Sequence, residues 1–178
     1  MLQGIAIVFL TNGYEVILKE VNEKFLEQGI ERLLEQLTRV IKARKMPMYA
    51  IEFIMRGLTP TTTYQGFETC DLVIEAALEN LKLKQDIFAD LERICTPNCI
   101  LATNTSTIDI EKIAEKTKAQ DRIVGLHYFS PAHVMPLLEI IRTPHTNPNV
   151  LASVLQGKLL QIITTPNCYI SCYWATNL

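Results

Sequence analysis

The sequence predicts an α/β fold built on a doubly wound parallel sheet. From residue 71 onward, short apolar runs alternate with segments whose apolar residues have helical spacing. Residues 71–77 and 99–102 are almost entirely apolar, as expected for strands that are covered on both faces. Between them, the apolar residues of 81–95 recur at the spacing of an amphipathic helix. Strands and helices that alternate in this way indicate parallel strands joined by helical crossovers.

The remaining elements follow from the same criteria. Asn22 precedes a long apolar pattern of helical period and predicts a helix N-cap there. Residues 4–10 form an apolar run that fits either a strand or the end of a helix, and residues 46–64 are ambiguous. The pattern further predicts strands over residues 14–18, 122–129 and 137–142, and helices over residues 108–117 and 149–163.

Size and composition exclude several classes of protein. A chain of 178 residues, 48% of them apolar, suits one domain with a buried core. The formal charge of −2, with no basic stripe, argues against nucleic acid as the main partner. No apolar run approaches the roughly 20 residues that span a bilayer. The N-terminal apolar run lacks the flanking charge and cleavage site of a secretory signal.

The five cysteines indicate free thiols rather than a metal site or a disulfide framework. Cys95 and Cys99 are separated by three residues, as are Cys168 and Cys172. This spacing is a poor match to zinc motifs, so we expect no bound metal.

Three polar residues lie at or near the ends of predicted strands, where ligands bind in an open α/β sheet. Ser106 follows the strand at 99–102, His127 lies near the end of the next strand, and Glu139 lies in the strand after it. His127 is suited to general base catalysis, because imidazole changes charge near neutral pH. Glu139 can hold that imidazole in one tautomer and favour its protonated form, and Ser106 can hydrogen-bond a substrate oxygen.

Each of these residues also has a structural alternative. Ser106 with Asp109 matches a capping box for the following helix. A histidine in a strand is more often a structural group than a catalytic one. A glutamate in a strand needs a partner because unpaired burial is costly, and His127 supplies one.

The segments DLVIEAALENLKLKQDIF, ILATNTSTIDI and RIVGLHYFSPAHVMPLLEIIRT carry a resemblance to a known family. They resemble the NAD-binding domain of the 3-hydroxyacyl-CoA dehydrogenases, most closely the dehydrogenase part of the plant peroxisomal (glyoxysomal) multifunctional β-oxidation proteins. The resemblance extends over about residues 2–143 and implies a Rossmann-like sheet. It implies that Ser106, His127 and Glu139 form the catalytic group.

The resemblance also implies binding residues. NAD contacts are expected at Glu20, Glu79, Lys84, Ser106 and Ser130, with Glu20 on the adenosine ribose. Lys42, Arg44 and Lys45 are candidates for the CoA phosphates, although a solvated helix end explains them as well. Ser106 and, by counting without gaps, Asn177 are expected to contact the substrate.

Two family features have no counterpart in residues 1–178. The family's first strand and its G-x-G-x-x-G loop, which brings backbone amides to the pyrophosphate, are not found. In the usual strand order the lost strand is central, and its loss would expose two neighbouring edges. We therefore expect residues 1–166 to form an incomplete NAD-binding domain, in which residues 4–10 are the end of the first helix. Residues 167–178 are expected to form a divergent tail.

The sequence thus predicts the oxidation of L-3-hydroxyacyl-CoA to 3-ketoacyl-CoA with NAD in fatty acid β-oxidation. Activity is uncertain without the glycine-rich loop. The alternative is a non-catalytic fragment that binds acyl-CoA or an intact relative; another short hydroxybutyryl-CoA dehydrogenase or crystallin-like relative is a third possibility. The resemblance implies a peroxisome or glyoxysome, although no C-terminal S-K-L signal is present.

Overall fold

A computed structural model describes residues 2–135, 137–156 and 169–174. The chain divides into two compact units: one comprises residues 1–65 with 130–135, and the other comprises residues 66–129 with 136–178. The strands are β1 Val16–Lys19, β2 Leu58–Thr61, β3 Leu72–Glu75, β4 Ile100–Thr103, β5 Ile123–Tyr128, β6 Leu137–Arg142 and β7 Tyr169–Trp174. The α-helices are α1 Leu2–Thr11, α2 Glu23–Ala43, α3 Ala50–Met55, α4 Leu81–Ile94, α5 Ile110–Ala114 and α6 Pro148–Gln156. None of the described helices combines the length and apolar character that crossing a membrane requires.

The first unit packs helices against a two-stranded parallel sheet of β1 and β2. The run at residues 4–10 lies in helix α1, as the family resemblance predicts. The backbone N–H of Phe25 donates to Asn22 Oδ1 over 3.0 Å, which confirms Asn22 as the N-cap of α2. The apolar face of α2 packs with α1 and α3 in one core, whose fully buried members include Ile7, Leu33 and Leu37.

The second unit is a five-stranded sheet in the order β3-β4-β5-β6-β7. All neighbouring strands are parallel except β5 and β6, which are antiparallel. The reason is the short connection between β5 and β6, which holds no helix and therefore cannot carry the chain back for a parallel crossover. β7 lies within residues 167–178 and pairs with β6 from Tyr169 to Trp174.

β1 and β3 are the end strands of their sheets in the described part of the chain. β1 pairs with β2 and β3 pairs with β4, both in parallel. The absence of the family's first strand from this chain stays a prediction.

Helix α5 is shorter than the sequence predicts, because two turns precede it. The Ile108 N–H donates to Thr105 Oγ1 over 3.0 Å, and the Glu111 N–H donates to Asp109 Oδ1 over 2.9 Å. Asp109 is therefore the N-cap, and the helix begins at Ile110. The capping-box alternative for Ser106 is wrong, which removes the structural explanation of that residue.

Cys70, Cys95 and Cys99 are free thiols, as predicted. Burial is the main reason why the pKa of Cys99 is raised from 9.0 to about 12. A buried thiol that keeps its proton is a poor nucleophile, so Cys99 is a core residue.

Gly125, in the middle of β5, lies where the packing leaves no room for a side chain. A Cβ atom there would come within 2.6 Å of Ile110 Cδ1 and 2.9 Å of Ile141 Cβ. We expect Gly125→Ala to lower the free energy of unfolding by about 1–3 kcal/mol, measured by urea denaturation. Gly29→Ala in helix α2 is the control, because the new Cβ atom would be 3.5 Å from its nearest neighbour, Gln3 Nε2. That change should raise stability by up to ~1 kcal/mol, and equal midpoints for the two variants would contradict the packing.

Candidate active site

His127 and Glu139 form the central pair of the candidate site. They face each other in the antiparallel register of β5 and β6, so their side chains share one face of the sheet. His127 Nδ1 lies 2.8 Å from Glu139 Oε2, and the two side chains are 16% and 24% exposed. A contact of this length, partly shielded from water, fixes the ring orientation while leaving the pair open to a ligand.

Ser106 lies in the loop that follows β4, and Glu79 holds this loop from the β3 side. The Thr105 hydroxyl donates to Glu79 Oε2 over 2.8 Å, and the Ser106 N–H donates to Glu79 Oε1 over 3.3 Å. Ser106 is exposed, and none of the described residues hydrogen-bonds to its hydroxyl. The hydroxyl is therefore available for a ligand.

A buried ion pair supports the same end of the sheet. Lys84 Nζ lies 2.8 Å and 3.0 Å from the two carboxylate oxygens of Glu75, and both side chains are almost completely buried. Glu75 also accepts hydrogen bonds from the Thr103 hydroxyl and the Ala77 N–H. The network ties the end of β3 to the end of β4 and to helix α4.

Lys84 therefore has a structural partner besides the cofactor role that the resemblance implies. Its side chain is 1% exposed, and its Nζ lies 4.0 Å from Glu79 Oε2. Glu79 itself is 43% exposed, so it can contact a ligand directly. We therefore interpret Lys84 as a buried positive charge close to Glu79. A direct contact between Lys84 and NAD stays a prediction.

Sequence reasoning missed Glu75 and Asn104. Glu75 is the charged residue within an apolar strand, and the general cost of burying an unpaired charge could have signalled a partner. Asn104 is buried and accepts a hydrogen bond from the Tyr128 N–H over 2.7 Å. No pattern in the sequence distinguishes it from an ordinary loop asparagine.

The other predicted binding residues lie in the first unit or outside the described residues. Glu20 follows the last residue of β1, and its N–H donates to Thr61 O. Lys42 and Lys45 are exposed at the end of α2, and Ser130 is exposed where the chain leaves β5. Asn177 lies outside the described residues.

The family model for the 3-hydroxyacyl-CoA dehydrogenase, NAD binding domain, matches residues 1–160. The chain belongs to this family. Two plant proteins are among the relatives that are similar to this chain. The chain is 55% identical over 159 residues to the glyoxysomal fatty acid β-oxidation multifunctional protein MFP-a of Brassica napus. It is 54% identical to the peroxisomal multifunctional protein MFP2 of Arabidopsis thaliana over the same length.

Each of these alignments includes 89% of this chain but 22% of the relative. The chain thus spans about a fifth of the length of the curated relatives that it matches.

Solved structures of the 3-hydroxyacyl-CoA dehydrogenase family have the same fold. FadB2 of M. tuberculosis is 33% identical with a TM-score of 0.91, over 98% of this chain and 60% of that one. The 3-hydroxybutyryl-CoA dehydrogenase of Escherichia coli K12 is 32% identical with a TM-score of 0.88, over 98% and 36% respectively. The Rossmann-like α/β fold class predicted from the sequence is therefore confirmed.

Proposed function

We propose that this chain contains the dehydrogenase centre that oxidises L-3-hydroxyacyl-CoA to 3-ketoacyl-CoA in fatty acid β-oxidation. The contact between His127 Nδ1 and Glu139 Oε2, 2.8 Å long on adjacent strands, is the observation that carries the proposal. Oxidation of an alcohol requires a base for the hydroxyl proton, and an oriented imidazole is suited to that step.

Glu139 determines which nitrogen of His127 acts as the base. With the Nδ1 proton donated to Glu139 Oε2, Nε2 carries the lone pair that accepts the substrate proton. The carboxylate then stabilises the imidazolium that forms. Ser106 donates a hydrogen bond to the reacting oxygen and holds it for proton transfer.

The residues present fit the ribose hydroxyls of NAD. Glu20 at the end of β1 and the partly exposed Glu79 are carboxylates, which accept hydrogen bonds from ribose hydroxyls. Ser130 is exposed and adds a hydroxyl. Bound NAD supplies the acceptor for the hydride that leaves C3 of the substrate.

Lys42 and Lys45 are proposed to bind the phosphates of CoA. Both are exposed and lie beside Arg44 at the end of α2, where three cationic side chains are close in sequence. A lysine ammonium group binds phosphate as a point charge on a flexible side chain, so it does not require one fixed geometry. Asn177 is a substrate contact by family resemblance.

The second candidate is a protein that binds acyl-CoA, or an intact relative, without turnover. Its support is the exposed group of Lys42, Arg44 and Lys45 at the end of α2, which suits the phosphates of CoA whether or not turnover occurs. Since the curated relatives are peroxisomal or glyoxysomal proteins, we propose the same compartment for this chain.

Turnover and binding assays separate these candidates. Purified chain is mixed with NADH and acetoacetyl-CoA, and the loss of absorbance is followed; NADH binding is titrated by fluorescence. Turnover supports the dehydrogenase. Acyl-CoA binding without turnover supports the second candidate. Failure to bind NADH at millimolar concentration contradicts the proposed function.

A further inference from the structure

We propose that Asn104 is a positioning residue that fixes the Ser106 loop against the strand carrying His127. The inference rests on the proposed function for its catalytic consequence. Its structural part, the attachment of the loop to β5, can be measured without substrate.

The pairing between β4 and β5 stops before it reaches His127. The register runs from Leu101 opposite Ile123 to Thr103 opposite Gly125, whereas β5 continues to Tyr128. Beyond Gly125, β5 is still paired with β6, which positions Glu139. The β4 side of the strand therefore needs another contact where the catalytic histidine lies.

Asn104 supplies that contact with its side chain. Its Oδ1 accepts a hydrogen bond from the Tyr128 N–H over 2.7 Å, directly after His127 in the chain. Its own N–H donates to Glu75 O over 2.8 Å, so its backbone is held by β3. The side chain thus continues the sheet by one hydrogen bond after the β4 backbone has turned away.

The same loop carries Ser106 two residues later. Glu79 holds Thr105 and Ser106 from the β3 side, while Asn104 joins the loop to β5. Ser106 and His127 belong to different strand ends, so their alignment depends on these contacts. Asn104 is 9% exposed, which shields its hydrogen bond from competition by water.

Asn104→Leu tests the inference, because leucine is similar in size and has no acceptor. We expect faster hydrogen exchange at the Tyr128 amide, and a changed ratio of tautomers in the ¹⁵N spectrum of the His127 ring. We expect kcat of this variant to fall on the order of a hundredfold, with KM nearly unchanged, because the catalytic group is misplaced. Asn104→Asp keeps an acceptor oxygen and should preserve protection of the Tyr128 amide.

Asn147→Leu is the matched control. Asn147 Oδ1 accepts from the Asn149 N–H over 2.8 Å, a bond of the same kind at the start of α6. This variant should leave Tyr128 exchange, the His127 ring signals and kcat unchanged. If Asn104→Leu does not fold, Asn104→Ala removes the same acceptor without adding volume.

Unchanged Tyr128 exchange in the Asn104 variants would overturn the inference. So would faster exchange with unaltered His127 signals, because the contact would then be only structural. If the unmodified chain has no turnover, the proposed function fails, while exchange and ring spectra still decide the role of Asn104.

Discussion

Replacing His127 with alanine is expected to lower kcat/KM for acetoacetyl-CoA reduction about a thousandfold, within the range typical of general acid–base catalysis. In this direction the imidazolium donates the proton that it accepts in the forward reaction. The Glu139 carboxylate, 2.8 Å from Nδ1, would remain without a proton carrier. NADH binding should be unchanged, so a fluorescence titration distinguishes lost chemistry from lost folding.

His145→Ala is the control for this prediction. His145 is exposed, and its backbone N–H, not its ring, donates a hydrogen bond to the Thr143 hydroxyl. The imidazole can therefore be removed there without disturbing the His127–Glu139 pair. Equal activities for the two histidine variants would exclude His127 as the proton carrier.

Lys84→Met is expected to lower the free energy of unfolding by about 3–5 kcal/mol, because it leaves Glu75 charged and buried without its partner. Both side chains are nearly inaccessible, at 1% and 2% exposure. A loss of this size is a large part of the 5–15 kcal/mol that typically stabilises a domain. Urea denaturation followed by circular dichroism measures it.

The double variant Glu75→Gln/Lys84→Met should recover most of that loss. Glutamine removes the buried charge, its oxygen can still accept from the Ala77 N–H, and its NH2 group can donate to the Thr103 hydroxyl in place of the bond that this hydroxyl donates to Glu75. Arg56→Met is the surface control, because Arg56 and Glu52 are 72% and 76% exposed. Its effect should stay below ~1 kcal/mol. A single Lys84 variant as stable as this control would show that the buried pair contributes little.

The sequence was most informative where a local pattern determines local structure. The long helix after Asn22 and the buried strands follow from periodicity and capping, which act over a few residues. His127 and Glu139 are 12 positions apart in consecutive predicted strands, so their contact could also be inferred.

Contacts between separate elements could not be predicted in the same way. The sequence pattern gives no sign that Lys84 is buried, because its partner Glu75 lies in β3 and the two meet only when α4 packs against that strand. Asn104 meets Tyr128 over 24 positions because the ends of β4 and β5 come together. Both interactions depend on the assembled sheet, which no short pattern encodes.

The antiparallel pairing of β5 with β6 makes the acid–base pair a local unit. Pairing two antiparallel neighbours closes a short loop, whereas pairing two parallel neighbours closes a whole crossover and costs more chain entropy. His127 and Glu139 therefore meet through contacts that are among the nearest in sequence in this sheet. The distance between the two side chains should therefore depend on the β5–β6 pairing more than on the crossovers that join the parallel strands.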